Sequence, residues 1–174
     1  MHLRTSRKGF RQRRRAAILA QRRLRTRRNR RASRATYLIS QVPHRRQRYD
    51  TVGDWIPGRP VRIRVSRMDD ERYVFLVALH EMVEYELCRM HGITDSKVVE
   101  FDKSFEKERR ANIHSIEAEP GDDPRAPYRD EHGFASMIER IVAQKMGVNW
   151  AAYEEAVQAL SPASRIALRP LAEN

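Results

Sequence analysis

Charge is distributed very unevenly along this chain, and this limits which part of it can fold compactly. The first 48 of its 174 residues contain 18 arginines and lysines, and the first acidic residue is Asp50. The other 126 residues contain 17 basic and 23 acidic residues, a net charge of −6, although the whole chain carries +12. Because dense like charge opposes packing, we predict an Arg-rich extension over 1–48, disordered or conditionally helical, and a compact acidic domain over 49–174.

Several classes of protein do not fit this composition. The single cysteine, Cys88, excludes an internal disulfide and a Cys-based zinc finger. No stretch approaches 18 uncharged apolar residues, so we expect no membrane-spanning helix and no membrane partner. We also expect no secretory signal, because residues 16–20 form too short an apolar segment between arginines. These features favour a cytoplasmic protein.

Hydrophobic periodicity predicts a mainly α fold, with a four-helix core and one or two short strands. Residues 61–66 alternate between apolar and polar side chains after Pro60, which predicts a half-buried strand, and residues 36–52 could supply its partner. The rest of 36–58 is typical of an irregular linker. A long loop over 112–128 contains three prolines. Capping residues and apolar spacing predict helices over about 72–90, 95–111, 129–146 and 150–160.

The orientation of the first and third helices follows from the same spacing. On the first helix we expect an apolar stripe that includes Phe75 and Met90 to be buried, and we expect Ala78 and Tyr85 to face solvent. His80 and Glu84 lie beside that stripe, so we expect their face to be buried or to line a cleft. The predicted apolar side of the third helix consists of Phe134, Ile138, Ile141 and Val142.

The first helix carries the motif H-E-x-x-E, formed by His80, Glu81 and Glu84. Residues four positions apart share one face of a helix, so His80 and Glu84 can reach the same ion. Glu81 lies about 100° further round the helix, where a carboxylate can act as general base without ligating the ion. The alternative is that His80 and Glu84 form a hydrogen-bonded pair within the helix and that Glu81 is a surface acid.

A metal site needs a third ligand, and His132 is the best candidate. It begins the third helix directly after the long loop and shares a face with Glu139, which could be an alternative ligand or a hydrogen-bond partner. His114 and Asp102 are further possibilities. His91 lies about 16 Å along the helix from His80, too far to join the site. In the alternative interpretation His132 simply points to solvent at the start of its helix.

A strand, a helix with H-E-x-x-E and a ligand on a later helix together resemble the minimal core of the zincin peptidases. The resemblance implies that His80 is a Zn²⁺ ligand, that Glu81 is the general base and that an extended peptide lies beside the strand. Zincins have histidine where this chain has Glu84, whose oxygen suits Zn²⁺ and also Mn²⁺ or Fe²⁺. Residues 49–160 are also similar to small uncharacterised phage and prophage proteins, which implies a bacterial host cytoplasm. That similarity lies in residues 53–55, 77–81, 119–124 and 149–150.

The Arg-rich extension predicts a different activity. Arginine outnumbers lysine there by 17 to 1, and guanidinium groups suit phosphate contacts. An unstructured tail with no partner is the alternative. The candidate nucleic-acid contacts are Arg13, Arg14, Arg15, Arg22, Arg23, Arg27, Arg28, Arg30 and Arg31.

Two functions therefore follow from the sequence. The first is a phage-encoded, metal-dependent hydrolase of metallopeptidase type, with Zn²⁺ or another divalent ion held by His80, Glu84 and His132 and with Glu81 as base. Its substrate would be a peptide. The second is a non-enzymatic nucleic-acid-binding accessory protein in which the H-E-x-x-E motif is structural.

Overall fold

The computed structural model describes residues 35–115 and 117–160 of the chain. Within these residues the fold is mainly α with four helices, as predicted, and its small sheet has three strands where one or two were expected. The candidate nucleic-acid arginines, Arg13 to Arg31, lie outside the described residues. None of the described helices combines the length and apolar character needed to cross a bilayer. The elements in chain order are β1 (Tyr37–Val42), β2 (Gly53–Ile56), β3 (Val61–Ser66), α1 (Glu71–His91), α2 (Asp95–Arg110), α3 (Arg129–Lys145) and α4 (Trp150–Gln158).

The sheet has the order β1-β3-β2, so β3 is central. β1 pairs with β3 in parallel, with Tyr37 opposite Val61, and β2 pairs with β3 antiparallel, with Trp55 opposite Ile63. Every second residue of β3 is buried, as the alternation predicts. The partner strand expected within 36–52 is β1.

Two predictions about this region are wrong. The compact unit begins at Tyr37, so the boundary predicted after residue 48 falls too late. The second correction is β2, which occupies part of the predicted irregular linker. Glycine and aspartate disfavour strands, and Asp54 is tolerated in β2 because the guanidinium of Arg48 neutralises it with two hydrogen bonds of 2.6 and 2.7 Å.

Helix α1 lies between the sheet and α3, and it buries a different face from the one predicted. Ala78 and Tyr85 are buried at 3% and 9% exposure, whereas Phe75 and Met90 are 50% and 67% exposed. The helix packs against both the sheet and α3. His80 contacts Glu139 of α3, and Glu81 lies against Gly53 of β2. Glu84 contacts both Trp55 of the sheet and His132 of α3.

Helix α3 also turns a different face inward. Phe134 and Ile141 are 46% and 51% exposed, against the prediction that they belong to the buried side. The buried face instead consists of polar and small residues, namely Glu131, His132, Ala135, Glu139 and Ala143. Alanine at two of these positions lets α3 approach α1 closely, which brings the polar side chains of the two helices into contact.

Candidate metal centre

Three side chains from two helices converge on one point. His80 and Glu84 lie one turn apart on α1, and His132 lies in the first turn of α3. The Nδ1 atom of His132 is 3.1 Å from Nε2 of His80 and 3.1 Å from Oε2 of Glu84. The His80 Nε2 to Glu84 Oε2 distance is 3.5 Å. The structure thus brings together the three residues predicted as ligands, with one nitrogen or oxygen of each facing the others.

These separations match what a tetrahedral metal ion requires. Zinc ligands lie about 2.0–2.2 Å from the ion, which places neighbouring ligand atoms of a tetrahedron about 3.3–3.6 Å apart. The three observed distances lie close to that interval. Two imidazole nitrogens and a carboxylate oxygen in mutual contact need protons or a cation between them, because all three atoms carry lone pairs. A cation at their common point would satisfy all three.

The outer nitrogen of His80 is held by a carboxylate. Nδ1 of His80 lies 3.0 Å from Oε2 of Glu139, and the hydroxyl of Tyr153 donates to the other oxygen of Glu139. A proton on Nδ1 leaves the lone pair of Nε2 facing Glu84 and His132. This carboxylate–histidine arrangement is the one that orients most histidine ligands in metal sites. Glu139 therefore takes the hydrogen-bonding role, one of the two predicted for it.

The outer oxygen of Glu84 is also engaged. The indole Nε1 of Trp55 on β2 donates to Oε1 of Glu84 at 2.9 Å. Both residues are buried, and this bond leaves Oε2 directed at the histidines. Trp55 is thus both a core residue and the group that orients a candidate ligand, and it ties the site to the sheet.

The loop before α3 holds His132 in place. Gly121 lies so close to the imidazole that a Cβ atom there would stand 2.3 Å from Cγ of His132. On the outer side of the ring, Nε2 is buried and makes no hydrogen bond among the described residues. Glu119 and Asp122 face this nitrogen with carboxylate oxygens 3.3 and 3.9 Å away. The predicted long loop therefore closes over the site.

Substituting Gly121 tests this packing. We expect Gly121→Ala to displace the imidazole, to lower the free energy of unfolding by about 1–3 kcal/mol and to weaken metal affinity. Gly133→Ala is the matched control, because a Cβ at Gly133 meets no atom within 4 Å and lies in a helix, where alanine is favoured. Thermal melts and metal titrations of the two variants give the comparison. Equal behaviour of the two variants would contradict the packing of this loop on His132.

Glu81 lies against β2, beside the convergent atoms. A Cβ at Gly53 would stand 2.3 Å from its Oε1, so β2 needs glycine where it passes this carboxylate. Burial raises the pKa of Glu81 well above its usual value, and the negative charge of Glu84 raises it further against the opposing effect of His80. A buried carboxyl group with a raised pKa that lines a cleft is a candidate for proton transfer. The structure thus places the residue predicted as general base in a buried position beside the candidate ligands.

The three convergent residues influence one another's protonation. Burial raises the pKa of Glu84, but hydrogen bonds from His132 and His80 outweigh it and bring the pKa to about 2. Burial lowers the pKa of His132, but Glu119 and Glu84 outweigh it and raise the pKa to about 9. The pKa of His80 is raised for the same reason, by Glu139 and Glu84 against burial. Without an ion, the site therefore holds positive charge on its histidines.

All of these groups line one cleft of about 700 Å³. Its walls come from all four helices, the loop before α3, β2 and the segment that leads into β2. Val52, Gly53 and Trp55 line it from the sheet side, and β2 is an edge strand. Tyr49 and Tyr128 also line the cleft, and both donate to the buried carboxylate of Asp102.

The other histidine and acidic candidates lie apart from the convergent atoms. His114 stacks on Phe105 and contacts Glu108 at 2.7 Å, so it fixes the loop to α2. His91 contacts Glu131 at 2.6 Å near the end of α1. Asp102 has two tyrosine donors, and burial raises its pKa to about 6 against those hydrogen bonds. None of the three belongs to either of the two groups of described residues that could hold a metal ion, which are His80, Glu84 and His132, and Glu119, Asp122 and His132.

Comparisons with protein-family models, with curated proteins and with solved structures give no match. The functional argument therefore rests on the geometry of the site. Sequence reasoning did not assign Trp55, Glu119 or Tyr153 to it. Glu119 and Gly121 lie in the noted proline-rich loop, but tryptophan and tyrosine carry no local signal that they will donate to a buried carboxylate.

Proposed function

We propose that this protein is a metal-dependent hydrolase of zincin-like type, with Zn²⁺ as the preferred ion. Nε2 of His80, Oε2 of Glu84 and Nδ1 of His132 would hold the ion. The observation that carries the proposal is the convergence of these three atoms at 3.1–3.5 Å, with the remaining polar atom of each side chain facing another residue. Three protein ligands are typical of catalytic zinc sites, which keep the fourth position for water or substrate.

When bound, a divalent ion supplies Lewis acidity, which polarises a carbonyl and makes water more acidic. Glu81 would accept the proton of the attacking water and return it to the leaving amine, as a general base and then acid. Its position supports this role, because Glu81 lines the cleft beside the ligands while its raised pKa suits a group that changes protonation state. His80 and Glu84 keep their orientation through Glu139 and Trp55.

The edge strand supports a peptide substrate. β2 borders the cleft and an extended peptide can add to such an edge through main-chain hydrogen bonds. We propose a peptidase on this basis. The single cysteine suits a reducing compartment, which supports a cytoplasmic location. Phage origin is proposed only from the similarity of residues 53–55, 77–81, 119–124 and 149–150 to phage and prophage proteins.

A cleavage assay tests the proposed reaction. The full chain, loaded with Zn²⁺, is incubated with a mixture of short peptides and the products are identified by mass spectrometry. We expect cleavage that stops with a chelator and returns when Zn²⁺ is added back. A zinc-loaded protein that cleaves no peptide would contradict the peptidase assignment. It would not contradict metal binding, which is measured separately.

Metal affinity should depend on pH in a defined direction. An ion must displace the protons from His80 and His132, whose pKa values are raised, to about 9 for His132. Affinity should therefore increase by about tenfold per pH unit for each displaced proton until pH passes the pKa of that histidine, which is about 9 for His132. The metal-free protein behaves oppositely, because a raised histidine pKa stabilises the fold at low pH and the effect is lost as pH rises through 9. Competition titrations at pH 6, 7 and 8 measure how metal affinity changes with pH. Thermal melts of the metal-bound and metal-free protein at the same pH values measure how stability changes.

The charge of the extension supports a second function, nucleic-acid binding. The first 48 residues contain 18 basic residues and no acid, a charge density that suits phosphate contacts, although Arg48 is already paired with Asp54 and Asp95. The sheet includes residues 37–42, so binding by this segment is tested in the full chain rather than by deleting all 48 residues.

We expect a variant with glutamine at the nine candidate arginines to lose most affinity for single-stranded RNA. Each phosphate contact contributes about −0.7 to the slope of log affinity against log salt, so the slope should also become shallower. The thermal midpoint of the domain should not change, because we expect a segment of dense like charge to bury little surface. Fluorescence anisotropy between 50 and 200 mM salt, a range over which such binding falls steeply, measures both quantities. Salt-independent binding, or unchanged binding by the variant, would contradict an electrostatic role.

A further inference from the structure

The cleft that contains the candidate metal centre is strongly acidic. Among the described residues that line it, nine carboxyl groups face two guanidinium groups. Both guanidinium groups already pair with carboxylates of the same cleft, Arg109 with Glu106 at 3.0 Å and Arg140 with Glu154 at 3.6 Å. A divalent ion would offset two negative charges, so the cleft stays negative in the loaded protein. Such a field concentrates cationic ligands.

Two of these carboxylates stand at the mouth of the cleft, next to the site. The side chains of Glu119 and Asp122 are 56% and 73% exposed, and neither lies within ion-pair distance of a described arginine or lysine. Their oxygens face the buried Nε2 of His132, a side chain that is nine-tenths buried and makes no hydrogen bond at that atom among the described residues. His132 thus separates them from the convergent atoms by one imidazole ring.

These two carboxylates suit a cationic side chain better than a second ion. Their oxygens and His132 Nε2 lie close enough to hold a metal, but His132 would then have to ligate through both ring nitrogens and give up both ring protons. A lysine or arginine side chain needs no such change and reaches the carboxylates from solvent. Guanidinium pairs with carboxylates through two parallel hydrogen bonds, which favours arginine.

We propose that the substrate is a basic peptide and that Glu119 and Asp122 select an arginine or lysine side chain close to the bond that is cleaved. This inference rests on the proposed hydrolase function and names its substrate class. Asp122 is the better residue to substitute, because Glu119 lies nearer to the imidazole of His132, so changing Glu119 could also disturb a proposed metal ligand.

A binding measurement separates the selectivity from the reaction. The probe is a short fluorescein-labelled Gly/Ala peptide with two arginines, and the matched peptide carries citrulline, which has the same shape without the charge. Affinities are measured by anisotropy on the zinc-loaded full chain with Glu81→Gln, which keeps the bound peptide intact. The wild-type chain is titrated in parallel, with cleavage followed by mass spectrometry.

We expect the arginine peptide to bind about tenfold or more tightly than the citrulline peptide. Adding Asp122→Asn should reduce this ratio at least about fivefold, whereas Asp69→Asn, an exposed acid outside the cleft, should leave it unchanged. Equal affinity for the two peptides would overturn the inference, and a preference that survives Asp122→Asn would overturn its assignment to this loop. Selective binding without cleavage by the wild-type chain would retain the basic-ligand site and overturn the hydrolase function.

Discussion

Replacing Glu84 by glutamine is expected to remove tight metal binding and to destabilise the domain. The variant keeps an oxygen for the indole of Trp55 but loses the negative charge between His80 and His132. Zinc sites with four ligands bind with about 10–16 kcal/mol, so weakening one ligand should lower affinity on the order of 10²-fold. Breaking a buried charge pair costs about 3–5 kcal/mol of unfolding free energy. Competition titration with a chromogenic chelator and denaturant unfolding measure the two losses.

The control for this variant is Glu100→Gln. Glu100 is an exposed acid on α2, outside the cleft, so its substitution should change unfolding by less than about 0.5 kcal/mol and leave metal affinity unchanged. If Glu84→Gln is as stable as this control and binds Zn²⁺ equally well, Glu84 is neither a ligand nor a buried partner of the histidines.

Replacing Glu81 by glutamine is expected to separate chemistry from binding. Glutamine fills the same space against Gly53 but cannot accept the proton of water. Turnover should fall by about 10²–10⁴, the usual effect of losing a positioned general base, while one ion stays bound. Peptide cleavage rates of the zinc-loaded variant and its metal content check the two parts. Unchanged turnover, or loss of the ion together with the activity, would show that Glu81 has another role.

The candidate ligands could largely be predicted from the sequence, because their spacing along the helices places them on the same helix faces. His80 and Glu84 are four residues apart, and a helix places them on one face whatever surrounds it. His132 was predictable because it begins a helix and shares a face with Glu139. Periodicity could not predict which residue hydrogen-bonds to the outer polar atom of each candidate ligand. Trp55 reaches Glu84 from β2, and that contact depends on how the sheet packs on α1.

The orientation of the helices was harder to predict than their bounds. α1 carries apolar residues around most of its circumference, so its buried face depends on what packs against it rather than on one stripe. Tyr85 is buried because the aromatic rings of Tyr37 and Trp55 pack on it, a long-range contact. On α3, buried alanine and polar residues replace the apolar face that includes Phe134, because the site itself lies between the helices. A polar site at a helix interface reverses the usual relation between hydrophobicity and burial.

The metal content of the purified 174-residue chain tests the central claim most directly. Elemental analysis, with isothermal titration of Zn²⁺ into protein that has been treated with chelator, is carried out on the wild-type chain and on His80→Ala. We predict one ion per wild-type chain and none retained by His80→Ala, with both proteins folded by circular dichroism. A wild-type chain that neither contains nor binds a divalent ion would contradict the metal centre, and would leave His80, Glu84 and His132 as a buried hydrogen-bonded cluster.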